Sequence, residues 1–346
     1  MKQYVIIITL ISTLLGGSSC KEWLKVDSED RIMEDALFQS ESGFFTALNG
    51  VYVHLLNTNL YGRTLTAGTF DILAQYYDTT KPLNSHTYRS LANFELQAKK
   101  DAVADTWKEA YFLIANINTI LEHCENDRSV LSESNYELIK GECLALRAML
   151  HFEMFRIFGP IYSYEPGKVC IPYSDDTEKN VKPLLSAIDV VDKILTDLNQ
   201  AENLLLNVDP VITKGPQSSA EGNNRLRYRN LRLNYFAVQA LTARVYLYAG
   251  NTTEAGRYAR KVISGAFFPF ATREQVNGQA ATGTVNREAE DRIFSSEVLF
   301  GAYNTQRSTD IYDKLFSNKL ELKNLLTMTE NGVKALYDDE GDLRTC

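Results

Sequence analysis

Apolar residues recur three and four positions apart through most of the chain, the spacing of one face of an α-helix. Phe44, Leu48, Val51 and Leu55 form a first face, and Trp107, Tyr111, Ile114, Ile117 and Leu121 a second. A third runs through Ile139, Cys143, Leu146, Leu150, Met154 and Ile157, opened by the capping box Ser134-x-x-Glu137 and closed by Gly159-Pro160. Leu185, Ile188, Val191, Leu195 and Leu198 predict a fourth helix, and Leu231, Tyr235, Val238, Leu241, Val245 and Tyr248 a fifth that stops at Gly250. A shorter sixth, through Ala255, Tyr258, Ala259, Val262 and Ile263, ends at Gly265, and a last helical stretch is expected over Leu315 to Leu336. Only Glu297 to Tyr303, where Val298, Phe300 and Ala302 alternate with other residues, reads as a strand. The expected fold is all-α, with tetratricopeptide-like helix pairs, long irregular loops and minor β structure.

The polar segments between these helices are Thr79 to Asn93, Tyr162 to Pro183, Pro210 to Asn224 and Gly278 to Asn286. Loops of this length carry function disproportionately. At the other extreme of polarity, Lys2 is followed by the apolar run Tyr4 to Leu15, then by Gly16, Gly17, Ser18 and Ser19 before Cys20. The run is too short to span a bilayer and reads as an export signal. Small residues directly before a cysteine resemble a bacterial lipobox, in which the thiol is acylated and becomes the mature N-terminus. Residues 1–19 are therefore expected to be a lipoprotein signal peptide and 20–346 the folded domain. An ordinary signal peptide cleaved near Ser19 is the alternative.

Composition narrows the function classes. Hydrophobic residues at 45% and charged residues at 23% match a globular chain with ample material for a core. A net charge of −8 argues against nucleic acid, because an acidic surface repels phosphate. Cys124, Cys143, Cys170 and Cys346 form no CxxC pair, and His54, His86, His123 and His151 lack HxxxH or HExxH spacing. Neither metal nor cofactor is expected.

Several separated segments resemble the SusD/RagB family of nutrient-binding outer-membrane lipoproteins of Bacteroidota. Trp23-Leu24-Lys25-Val26-Asp27 and Leu48-Asn49-Gly50-Val51-Tyr52 are similar to its N-terminal signature, and Trp107, Tyr111, Ile114 and Asn116 to its W-x3-Y-x2-I-x-N pattern. Gly141-Glu142-Cys143-Leu144-Ala145-Leu146-Arg147-Ala148, continuing to Phe158-Gly159-Pro160, resembles its G-E-A-x-F-L-R-A helix, and Ala237 to Tyr248 its fourth helix. The resemblance implies a surface-exposed lipoprotein, anchored in the outer membrane through Cys20. It would bind a glycan or another nutrient without changing it and deliver it to a SusC-type TonB-dependent transporter. It also implies that 20–346 lacks the family's C-terminal part, since Asp338 to Arg344 looks like the middle of the family's domain; Leu315 to Leu336 would then be poorly packed.

Among candidate binding residues, the segment from Asp71 to Asn93 mixes rings and polar groups suited to sugars, whose CH faces stack on aromatics and whose hydroxyls bond to Asp, Asn and Arg. Asp71, Tyr76, Tyr77, Tyr88 and Arg89 are the expected ligand-binding residues; the competing reading is that Tyr76 and Tyr77 merely close a helix begun by Phe70, Ile72 and Leu73. Glu142 and Arg147 are read as ion-pairing residues that lock neighbouring helices, Trp107 as core, and Arg225, Arg227, Arg229 and Arg232 as a solvated face. No Gly-x-Ser-x-Gly turn, phosphate loop or isolated carboxylate pair marks a catalytic centre. A helical scaffold for other surface proteins and a surface glycoside hydrolase remain the alternatives.

Overall fold

The structure is a computed structural model. It describes residues 29–74, 77–78, 85–95, 97, 100–218, 224–265, 267–278, 286–325, 327–328, 331 and 334. Cys20, Tyr76 and the signal-like segment lie outside the described residues. Seven longer helices carry the fold: α1 (Glu29–Leu37), α2 (Glu41–His54), α3 (Lys100–Asn126), α4 (Glu133–Phe158), α5 (Ala187–Leu205), α6 (Tyr235–Tyr248) and α7 (Thr252–Ile263). Strands β1 (Tyr77–Asp78) and β4 (Thr327–Met328) form one antiparallel pair, and β2 (Val169–Pro172) and β3 (Leu184–Ser186) another. The all-α expectation holds, with helix pairs and minor β structure.

α4 is the axis. Every residue from 141 to 155 is buried, so the helix is enclosed on all sides rather than presenting one apolar stripe. It packs against α3, α5, α2 and α6. Gly141 is what lets α5 approach: a Cβ there would lie 2.8 Å from Leu205 Cγ. The expected capping box at Ser134 and Glu137 is not the helix start. Ser132 is the N-cap, and its N–H and hydroxyl both donate to Glu41 Oε2, at 3.3 and 3.2 Å, tying α4 to the start of α2.

Two other expectations shift. α5 buries Val190, Val191, Ile194, Leu198, Ala201 and Leu205, whereas Ile188 is 41% exposed and Leu185 belongs to β3. Glu297 to Tyr303 is not a strand: Ser295–Glu297 is a 3-10 turn and the rest is irregular. Its backbone bonds elsewhere than to a strand among the described residues, Leu299 O accepting from Asn234 Nδ2 at 2.7 Å and Gly301 N–H donating to Asn230 O at 2.9 Å. The expected helix over Leu315 to Leu336 is not continuous: a π-helical stretch ends at Phe316, Leu322–Asn324 is a 3-10 turn, β4 follows, and among the described residues beyond it only Asn331 and Lys334 are helical. Leu315 itself is buried.

Glu142 and Arg147 do lock neighbours together, in two separate clusters. Arg147 makes a bidentate pair with Asp197 of α5, at 2.7 and 2.8 Å, and donates to Asn118 Oδ1 of α3 at 3.0 Å. Tyr173 adds its hydroxyl to Asp197 at 2.6 Å. In the second cluster Arg229 is 1% exposed, which overturns the solvated-face reading at that position. Its guanidinium binds both oxygens of Asp209 at 2.9 Å and Glu142 Oε1 at 2.6 Å, while Tyr52 donates to Glu142 Oε2 at 2.7 Å. Burial works against the Arg229 charge, but the Glu142 and Asp209 carboxylates outweigh it and raise its pKa. Arg225 and Arg232, by contrast, lie over the rings of Phe45 and Tyr52.

His151 fills the remaining polar niche on α4. Its Nδ1–H donates to Arg147 O at 2.9 Å, its Nε2 accepts the Ser174 N–H at 3.0 Å, and its ring stacks on Tyr173 at 3.8 Å. An acceptor Nε2 requires the neutral ring, and burial drives the pKa down to about 3. Three thiols, Cys124, Cys143 and Cys170, are free, and burial pushes Cys124 up to about 12.

Arg229→Met is expected to cost about 3–5 kcal/mol, because two buried carboxylates lose their partner. Arg227→Met, at a half-buried position where the guanidinium donates to Ser218 O at 3.3 Å, should cost about 1 kcal/mol or less. Denaturant titration at pH 7 checks both, and a small loss at Arg229 would mean a solvated cluster. His151 adds a pH dependence: unfolded imidazole takes up a proton below about 6.5 while the native ring does not, so stability falls between pH 6.5 and 3. The His151→Gln variant should show a shallower acid limb by about 1.4 kcal/mol per pH unit, read from unfolding curves at stepped pH. Equal slopes would refute the neutral buried ring.

Candidate functional site

The described candidate residues Asp71, Tyr77, Tyr88 and Arg89 fall on a small lobe beside the main core. A helical turn at Thr69–Leu73 carries Asp71, β1 carries Tyr77, and a second turn at Arg89–Ala92 begins with Arg89. These pack with a distant part of the chain, because β1 pairs with β4 in the register Tyr77 to Met328. Ser85 extends the seam, its N–H donating to Lys323 O at 2.8 Å and its hydroxyl to Asn324 Oδ1 at 2.9 Å. Ile72, Tyr88, Leu91 and Leu315 form the lobe's own core, with Ile311 and Tyr77 against it.

The structure joins Asp71 and Tyr77 directly: the phenol donates to Asp71 Oδ2 at 2.8 Å. Burial, reinforced by this bond and the carboxylate's charge, raises the Tyr77 pKa, so the phenol stays protonated and donating. Both residues are half-buried. A carboxylate oriented by a phenol keeps further lone pairs for hydroxyl donors. Arg89 is exposed on the turn that follows Tyr88. Tyr88 is 8% exposed and stacks on buried His86 at 5.6 Å, so its ring packs the lobe rather than facing solvent. Asn84, like Tyr76, is outside the described residues.

Sequence reasoning missed what lies beside the lobe. A cleft of about 540 Å³ opens between α6, the 55–66 segment and the 299–311 segment, lined by Tyr61, Met149, Leu241, Arg244, Phe300 and Ile311. Ile311 also packs the lobe. No signal in the sequence marks this cleft, since its walls come from four segments spread between Leu55 and Ile311. Trp107, read as core, is half-buried between Tyr111 and Phe158. Among the described residues no cluster of His, Cys, Asp and Glu could hold a metal, and no helix is long and apolar enough to cross a membrane.

Against this geometry, a SusD-like family model described as "starch-binding associating with outer membrane" matches residues 22–222. The chain belongs to the SusD-like family. Two SusD-like proteins of Formosa agariphila are 25% and 27% identical over 225 and 210 residues, which are 61% and 59% of this chain. Those stretches are only 40% and 39% of the relatives, so the chain spans about two fifths of their length. A SusD superfamily structure from Bacteroides thetaiotaomicron superposes with a TM-score of 0.66 at 21% identity, over 89% of this chain and 64% of that one. A SusD-like carbohydrate binding protein of Bacteroides vulgatus gives 0.56 at 19% identity, over 78% and 52%. At these identities the structures establish the SusD-like fold. The matched region holds Glu142, Arg147 and Asp209, three anchors of the buried clusters, whereas Arg229 follows it.

The Tyr88→Ala variant should loosen the lobe alone, removing about 3 kcal/mol of local stability. Amide exchange is expected to quicken at 69–73 and 89–92 while the protection of α4 is kept. Unchanged exchange in both turns would show that Tyr88 does not hold the lobe.

Proposed function

We propose that the protein binds a glycan at the cell surface and delivers it, chemically unchanged, to a SusC-type TonB-dependent transporter, held to the outer membrane by a lipid on Cys20. The family match over residues 22–222 carries this reading. The lobe supplies suitable chemistry: the Asp71–Tyr77 pair offers an oriented acceptor and part of a ring, and Arg89 offers guanidinium donors. Tyr76 adjoins Tyr77 in sequence, and Tyr88 supports the platform from within. Charge-assisted bonds to sugar hydroxyls are stronger than neutral ones. A shallow site holding a few sugar rings has a Kd of about a micromolar to a millimolar, or about −8 to −4 kcal/mol. Many anchored copies offset such weak single contacts by avidity.

Calorimetric titration with maltoheptaose and other oligosaccharides tests this reading, beside thermal melts. Replacing Tyr76 and Tyr77 together with Ala should weaken binding by about tenfold or more, with the helical circular dichroism unchanged. Unaltered affinity, or binding lost only through a collapse in melting temperature, rejects the platform. On fractionation of the producing cells, Cys20→Ala should leave the membrane fraction; a variant that still sediments with outer membrane rejects the anchor.

A further inference from the structure

The cleft beside the lobe has a chemistry that sugars do not match. Its walls are apolar, with Ala240 and Leu241 from α6, Met149 from α4, and Leu56, Leu299 and Phe300 from the flanking segments. Ala237, Ala240, Leu241 and Arg244 follow one another at helical spacings of three, one and three, so a single face of α6 lines the cleft along its length. A sugar carries hydroxyls on every side, and an apolar wall would leave them without partners, at a cost of about 1–3 kcal/mol each. The volume of about 540 Å³ lies within the range of roughly 300–1,000 Å³ typical of small-molecule sites.

Charge decides which small molecule fits. Arg244 is the one charged residue among the described residues that line the cleft, and it is 55% exposed. Its nearest carboxylate is Glu153, with Nη2 to Oε1 at 3.6 Å, a loose contact. Glu153 is already held by Arg156, whose Nη1 reaches both of its oxygens, at 3.0 and 2.8 Å. Two guanidinium groups thus share one carboxylate, which leaves a net positive charge beside apolar walls. Arg244 keeps N–H groups that the loose contact with Glu153 does not occupy, and its planar fork suits a carboxylate or sulfonate. Tyr61 and Asn304 add hydrogen-bonding groups to the lining.

We propose that this cleft binds an anionic amphiphile, its acyl or aryl body against Leu241, Met149 and Phe300 and its acidic head at Arg244. Such a site is separate from the Asp71–Tyr77 pair, so the two can be tested apart. The probes are the anionic dye 1-anilinonaphthalene-8-sulfonate, its uncharged counterpart N-phenyl-1-naphthylamine, and laurate as a non-fluorescent competitor. The wild-type chain should bind the sulfonate dye about tenfold more tightly than the uncharged one, and laurate should displace it. Arg244→Gln should erase that preference while leaving the uncharged dye bound as before. Ala240→Phe, which fills the cleft from α6, and Ala302→Trp, which fills it from the opposite wall at an exposed position, should each weaken both dyes by more than about tenfold. Circular dichroism and melting curves identify any variant that fails to fold, and either blocking variant serves alone. The proposal is overturned by absence of dye binding, as when another segment already covers the cleft. It is equally overturned by equal affinity for the two dyes, or by binding that survives a folded blocking variant.

Discussion

A single buried guanidinium organises the junction on which the helical core depends. Arg229 is enclosed where α2, α4 and the segment between α5 and α6 meet, and its charge is tolerable there only because Asp209 and Glu142 surround it. Isolated, such a charge would be costly in a low-dielectric interior. Its partners are themselves satisfied from several directions. Asp209 also accepts the N–H groups of Val211 and Tyr235, at 3.1 and 3.0 Å, and Tyr52 both donates to Glu142 and accepts from the Leu233 N–H at 3.0 Å. The N-cap of α6, Asn234, bonds to Arg229 O at 2.8 Å and to Leu299 O, so the cluster also positions the 299–304 wall of the cleft.

The second cluster uses the same logic on another side of α4. Glu142 and Arg147 are five residues apart, about 140° around a helix, and therefore reach different neighbours. One faces α2 and Arg229; the other faces α3 and α5. A helix buried on all sides has no amphipathic stripe to define its rotation, and two directional polar anchors supply what apolar packing alone would leave loosely specified. His151 completes the arrangement by accepting an otherwise unpaired backbone N–H from the segment after β2.

Both proposed binding features lie where the helical frame ends. The lobe and the cleft both draw on residues 299 to 328, which lie against the helical core rather than inside it. Ile311 contributes to both, so the polar Asp71–Tyr77 pair and the apolar cleft share a boundary. In such a layout the proposed binding chemistry sits on turns and irregular segments while the helices hold them in place.

Much of the fold was legible in the sequence because helices leave a periodic trace within a dozen residues: α2, α3, α4, α6 and α7 all stand where the apolar spacing puts them. Glu142 and Arg147 could also be read as helix-locking residues, since charges inside an apolar helical run need partners. The burial of Arg229 could not, because a run of arginines before a helix looks solvated until the two acids that enclose it, from positions 142 and 209, are brought beside it. The pairing of β1 with β4, the burial of Tyr88 and the failure of 297–303 to form a strand depended on contacts across scores to hundreds of positions. By itself the sequence determined the helices, the family signature and the candidate chemistry, because these are local patterns of side chains. Which charges are buried, which rings pack, and where a cleft opens were decided only by tertiary structure, because burial is a property of the neighbours that distant segments bring.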